Sequence, residues 1–161
     1  MKLLTLNTHA WLEDDQLMKI EQLAQKIIDE NYDIIALQEV NQLSQNKIID
    51  KPLNYINYQN QTMPIKQNNY ALVLVELLAN KFNQTYFWTW AYNHQSYDRF
   101  DEGVALLSKY PLQQVHSLPF SKTTDPLDYH TRVAIGATIT YRKQQFTFYS
   151  LHTSWWKNPE G

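Results

Sequence analysis

Apolar and polar positions alternate along the chain on two different periods, and the change of period maps its elements. Leu3, Leu4 and Leu6 form a short apolar run that predicts a buried strand at the N-terminus. Leu17, Ile20, Leu23, Ala24, Ile27 and Ile28 then recur at helical spacing, which predicts an amphipathic helix over residues 15–31 with Asp14 or Asp15 as its cap. The run Asp33 to Leu37 is too short for a typical helix and reads as a second buried strand, with Gln38 and Glu39 at its C-terminal end. Residues 41–68 are polar, rich in Asn and Gln, and read as a long irregular connection. A second helix is expected from Tyr70 to Phe82. Strands follow at 86–92, 104–108, 112–120, 132–141 and 145–152, the last two joined as a hairpin through Lys143 and Gln144.

Strand, amphipathic helix, strand is an α/β opening, and the second half is antiparallel in character. No repeat or linker divides the chain, so one domain over residues 1–161 is the economical expectation. Two helices are too few to cover two sheets. The sequence therefore looks like the front part of a larger domain.

Composition narrows the function. With no Cys, thiolate zinc sites and cysteine nucleophiles are excluded. The 14 Lys and Arg against 16 Asp and Glu leave a net charge of -2, so the basic face that duplex binding needs is not indicated. The N-terminal apolar run is shorter than the roughly 7–15 residues of a secretory core, and no run reaches the roughly 20 of a membrane span. The expectation is a cytoplasmic protein without a membrane partner.

Polar clusters stand at the ends of predicted strands, where α/β proteins commonly build sites. They are Asn7 with His9, Glu39, Asp101 with Glu102, and His152; Arg132 opens a later strand. Each alone has an ordinary structural reading as a turn, cap or rim residue. Read together, Leu4-Thr5-Leu6-Asn7, Leu37-Gln38-Glu39-Val40, the block from Glu102-Gly103 to Lys109-Tyr110-Pro111, Arg132 and Ser150-Leu151-His152-Thr153 resemble the endonuclease/exonuclease/phosphatase superfamily. The resemblance runs through essentially the whole chain and matches the superfamily's N-terminal part.

That resemblance implies a four-layer α/β sandwich, two facing sheets flanked by helices, of which only the N-terminal part is present here. It also implies phosphoester cleavage with Mg²⁺ or Mn²⁺. In it Glu39 is the metal-ligating carboxylate and Asn7 the amide beside it. His152 is the histidine on the scissile phosphate, Glu102 the carboxylate that orients that ring, and Arg132 the neighbouring arginine. Glu102 is accordingly expected within hydrogen-bond reach of a His152 ring nitrogen, about 2.6–3.2 Å or somewhat looser without ligand. The superfamily's later Gly-Asp-x-Asn and terminal Ser-Asp-His blocks do not occur, so this stretch alone is expected to be inactive, either as part of a longer protein or as a non-enzymatic remnant.

Asn7-Thr8-His9-Ala10-Trp11 and His152-Thr153-Ser154-Trp155-Trp156 are similar to the bacterial maltose 6'-phosphate phosphatases of that superfamily. This implies a small phosphorylated sugar as partner, with His9, Trp11, Trp155 and Trp156 contacting it. Trp88, Trp90, Tyr92 and Tyr97 are further candidates for an aromatic sugar platform. Nuclease action on DNA and a sphingomyelinase-like phosphodiesterase are the alternatives, and nucleic acid is not favoured.

Overall fold

The computed structural model describes residues 1–153 of the chain. Nine elements follow one another: β1 Leu3–Asn7, α1 Gln16–Glu30, β2 Ile34–Leu43, α2 Tyr70–Phe82, β3 Phe87–Ser96, β4 Phe100–Ser108, β5 Gln113–Pro119, β6 Val133–Tyr141 and β7 Gln144–Ser150. The first sheet has the order β1-β2-β4-β3, with β1 parallel to β2 and the other neighbours antiparallel. The second, β5-β6-β7, is wholly antiparallel.

The two sheets face each other through Ala91, Val104 and Leu106 on one side and Ile135, Ala137 and Ile139 on the other. Both helices cover the opposite face of the first sheet, where Ile20, Ala24 and Ile27 of α1 and Leu74, Val75 and Leu78 of α2 meet Ile35, Leu37, Trp88 and Trp90. Among the described residues this makes three layers of an α/β sandwich: helices, mixed sheet, antiparallel sheet. Between β1 and β7 the sheets gape, leaving an apolar cleft of about 240 Å³ lined by Leu3, Ile34, Ala36, Leu106 and Phe148 among others. No helix among the described residues is long and apolar enough to cross a membrane.

Local chemistry explains the element ends. Asn69 caps α2, its side chain accepting from the N–H groups of Ala71 and Leu72. Asn31 and Asn83 close the two helices in left-handed conformation, the usual C-terminal device when glycine is absent. Asp15 stands at the start of α1, but with φ 53° and no side-chain cap bond, so the expected cap is one of position only. Leu17, expected on the buried face, is 69% exposed because α1 turns only Ile20, Ala24 and Ile27 fully inward.

Several boundaries differ from expectation. β2, β3 and β4 are each longer than predicted, since their polar ends pair with one another across the sheet. The β6–β7 hairpin turns at Arg142 and Lys143, both at positive φ, one residue earlier than predicted, as a two-residue turn requires. Trp88 and Trp90 are not ligand platforms. Both are fully buried, and their indole N–H groups donate to Leu53 O and Val40 O.

Gly103 explains why a glycine follows Glu102. A Cβ there would lie 2.6 Å from Trp90 Cε2 and closer still to the Ala91 carbonyl, so only hydrogen lets Trp90 lie across β4. Gly103→Ala is therefore expected to destabilise the fold by about 3 kcal/mol, read as a lower urea midpoint. An unchanged midpoint would show that Trp90 can move aside at no cost.

Candidate active site

Glu39 owes its position to an irregularity in β2. The strand does not end at Glu39, as the sequence suggested, but continues to Leu43 through a bulge between Leu37 and Val40. Glu39 sits in that bulge in left-handed conformation, φ 52°. A bulge inserts an extra residue and re-aims a side chain, here a carboxylate, out of the regular in–out alternation. The residue after β1 secures it. Thr8 Oγ1 donates to Gln38 O at 2.9 Å and to Glu39 O at 3.0 Å, while the N–H groups of Thr8 and Ala10 donate to the same two carbonyls. On the far side Trp90 Nε1 donates to Val40 O at 2.9 Å.

Asn7, the last residue of β1, donates from Nδ2 to Glu39 Oε1 at 2.8 Å, and its Oδ1 accepts from His9 N at 3.0 Å. His152 arrives from the second sheet. Just before it, Ser150 Oγ donates to Leu37 O at 2.9 Å and lies 3.3 Å from Gln38 Nε2, so the end of β7 is tied to β2 beside the bulge. His152 Nε2 then stands 3.8 Å from Glu39 Oε1. Its Nδ1 is buried without a partner among the described residues. Burial lowers the His152 pKa; the Glu39 charge opposes that and Arg132 reinforces it.

Glu102 comes from β4 and faces the same space, but it does not orient His152. Its near neighbour is His94 of β3, with Nε2 3.7 Å from Glu102 Oε1. The expected Glu102–His152 hydrogen bond is thus replaced by two separate pairs, Glu102 with His94 and Glu39 with His152. The reason is register: the β3–β4 pairing sets His94 directly opposite Glu102. Burial first, and then the Glu39 charge, raise the Glu102 pKa. Arg132, buried just before β6, donates from Nη1 to Tyr129 O at 2.6 Å and to Thr131 O at 3.1 Å, and Nη1 lies 3.1 Å from His94 Nδ1.

Asn7, Glu39, Glu102, Arg132 and His152 are thereby brought to one end of the sandwich. His9 lies at the rim with its ring Nδ1 2.6 Å from Glu13 Oε1, close enough for its charge to be felt at Glu102. Trp11, expected to contact a sugar, has its indole N–H turned inward to the backbone. Its indole N–H is already spent on Asn41 O at 3.1 Å and Asn68 O at 2.9 Å, and its ring packs edge-on against Tyr70. Trp155 and Trp156 lie outside the described residues. Sequence reasoning missed Thr8 and His94. No periodicity marks Thr8, whereas His94 becomes visible once β3 and β4 are paired as a hairpin.

The donor set suits a hard, hydrated cation. Among the described residues no three Asp, Glu or His side chains surround one point, so there is no closed cage. One carboxylate on Glu39 with the Asn7 amide, open to solvent, is the kind of partial shell that Mg²⁺ accepts, since it keeps several waters.

The chain matches the Endonuclease/Exonuclease/phosphatase family over residues 15–155. It belongs to that family. An endonuclease/exonuclease/phosphatase family protein from Leptotrichia buccalis is 35% identical, with a TM-score of 0.84 over 96% of this chain and 54% of that one. The human Nocturnin catalytic domain, solved with bound sulfate, gives 0.58 at 17% identity over 92% of this chain and 48% of that one. Endonuclease/exonuclease/phosphatase from Beutenbergia cavernae gives 0.57 at 12% identity over 97% of this chain and 38% of that one. A comparison with curated proteins finds no match. The chain thus spans about half the length of the Leptotrichia protein. Members of the family are hydrolases of the nuclease and phosphatase type and generally use divalent metals.

Two expectations follow from this geometry. Thr8→Val removes both hydroxyl bonds from the bulge and should cost about 1–2 kcal/mol, with Thr8→Ser restoring it; equal stability of all three proteins in urea would mean the bulge holds itself. The second concerns acid. Burial, then Arg132, hold the His94 pKa down at about 4, with His152 adding to the depression and Thr131 O and Asp128 opposing it. Because the folded value lies below the unfolded one, the unfolded chain binds the extra proton, and stability is lost as pH falls from about 6.5 towards 4. Glu102, raised, contributes in the opposite sense, so the readout is the difference between wild type and His94→Gln. That variant should show a shallower loss of stability over this window; parallel profiles would contradict the burial argument.

Proposed function

We propose that the complete protein is a divalent-metal-dependent phosphoester hydrolase that releases phosphate from a small phosphorylated sugar of the maltose 6'-phosphate type, in the cytoplasm. The observation that carries the hydrolase reading is the meeting of Asn7–Glu39 with His152 and Arg132 at one end of the sandwich. The sugar reading rests on the Asn7-Thr8-His9-Ala10-Trp11 block and on a net charge of -2, which gives a polyanionic duplex little to bind.

Phosphoryl transfer asks mainly for positioning and for charge where the transition state develops it. Glu39 and Asn7 would hold the hydrated cation, which when bound neutralises phosphate charge and lowers the pKa of its water. Arg132 supplies a fixed guanidinium whose backbone contacts keep it in place. His152 supplies Nε2, which bears a proton towards a phosphate oxygen; Glu39 favours that protonated form and burial opposes it, so the arriving dianion tips the balance.

The test is phosphate release by the purified full-length protein from a panel of sugar phosphates, against nicking of plasmid DNA. Sugar-phosphate turnover should depend on Mg²⁺ or Mn²⁺ and stop with EDTA. Glu39→Gln, which keeps the size and removes the charge, should lower kcat/KM by about two orders of magnitude. Rapid DNA nicking with no sugar-phosphate turnover would replace this reading with a nuclease.

A further inference from the structure

His94 belongs to none of the sequence blocks that mark the family, yet it lies between two groups of the site. It is 4% exposed, with Nδ1 3.1 Å from Arg132 Nη1 and Nε2 3.7 Å from Glu102 Oε1. A neutral imidazole has one donor and one acceptor nitrogen, and the hydrogen bond at one fixes the role of the other. A guanidinium only donates; one of the two Nη1 hydrogens serves Tyr129 O at 2.6 Å, the other faces Nδ1, which accepts, and the proton then resides on Nε2, towards a carboxylate that accepts. The opposite tautomer would donate from Nδ1 to Thr131 O at 3.2 Å, but would set one N–H against another and turn a bare lone pair towards Glu102. Thr131 O shares the second Nη1 hydrogen at 3.1 Å, so it keeps a donor in the Nε2–H tautomer.

We propose that His94 is a positioning residue which, as the Nε2–H tautomer, links Arg132 to Glu102, steadying the guanidinium and holding the carboxylate away from His152. The proposal rests on the phosphoesterase reading for its effect on turnover, but not for the tautomer. Burial and Arg132 favour the neutral ring the link requires. The charged or titratable groups around it are Arg132 and Asp128 of the β5–β6 connection, Glu102 of β4 and His152 beyond β7. At 3.7 Å the Glu102 side is an electrostatic contact, of the kind that tightens when a ligand fills a site. Two histidines and two carboxylates are thus sorted into separate pairs, so that Glu39 alone faces His152 and the cation.

The experiment has two arms on the full-length protein. Long-range ¹H–¹⁵N spectra of the histidine rings near neutral pH should show His94 as the Nε2–H tautomer with Nδ1 in a hydrogen-bonded, acceptor state; an Nδ1–H tautomer overturns the proposal whether or not any substrate is turned over. In kinetics with p-nitrophenyl phosphate, His94→Leu should lower kcat/KM about 10–100-fold, as loss of an outer-shell partner does. His94→Asn, whose amide lies where Nδ1 was, should return KM towards the wild-type value through Arg132 while kcat stays low. Folded His94→Leu with wild-type turnover overturns the link. If wild type cleaves no phosphoester, the functional reading fails and the tautomer alone decides; it decides equally if a variant does not fold.

Discussion

The structure turns on a single residue held in a conformation it would not choose. Glu39 sits at positive φ in the middle of an otherwise buried strand. Left-handed backbone costs a non-glycine residue about 1–2 kcal/mol. Thr8, Ala10 and, through Val40, Trp90 hold the carbonyls of the bulge from both sides, and each such bond contributes about 0.5–1.5 kcal/mol net. The strain is therefore offset locally. What the bulge achieves is direction: it turns a carboxylate out of β2 to where Asn7 and His152 can reach it. Strain of this kind concentrates at functional sites.

The second sheet takes part through the Ser150 hydroxyl beside the bulge and through the start of β6, where Val133 N–H donates to Asn93 Oδ1 at 3.0 Å. Ser150 reaches across from the end of β7 to the backbone of Leu37, and two residues later His152 faces Glu39. Core packing alone, through Ile135, Ala137 and Ile139, would allow the sheets to slide; a directional bond beside the bulge fixes their relation where the chemistry is. Electrostatics then follow from the geometry. Buried histidines lose proton affinity, a buried carboxyl near another gains it, and Arg132 is anchored by the carbonyls of its own loop.

Much of this was legible in the sequence because it follows from periodicity. The 3.6-residue repeat through Ile20, Ala24 and Ile27 and the alternating strands gave both helices and the strand order along the chain. The motif blocks marked Asn7, Glu39, Glu102, Arg132 and His152 as a group. What could not be read were pairings set by register and bulge. Nothing in Leu37-Gln38-Glu39-Val40 announces a left-handed residue, and without the bulge Glu39 reads as a strand end. His94 faces Glu102 only because the β3–β4 hairpin has its particular register, so the wrong histidine was assigned to that carboxylate. The role of the Trp11 N–H was equally hidden, because a tryptophan beside a site looks the same in sequence whether that group is free or spent on two backbone carbonyls.

The central claim is that the bulge aims Glu39 so that it and Asn7 hold a divalent cation facing His152. Titrating Mn²⁺ into the ¹⁵N-labelled full-length protein tests it directly, since the paramagnetic ion broadens signals according to their distance. The account predicts that at substoichiometric Mn²⁺ the first signals lost are those of Asn7, Thr8, Glu39 and His152, and that Glu39→Gln abolishes this. Broadening that begins instead at the exposed acidic turn Glu13-Asp14-Asp15, and persists in Glu39→Gln, would contradict it.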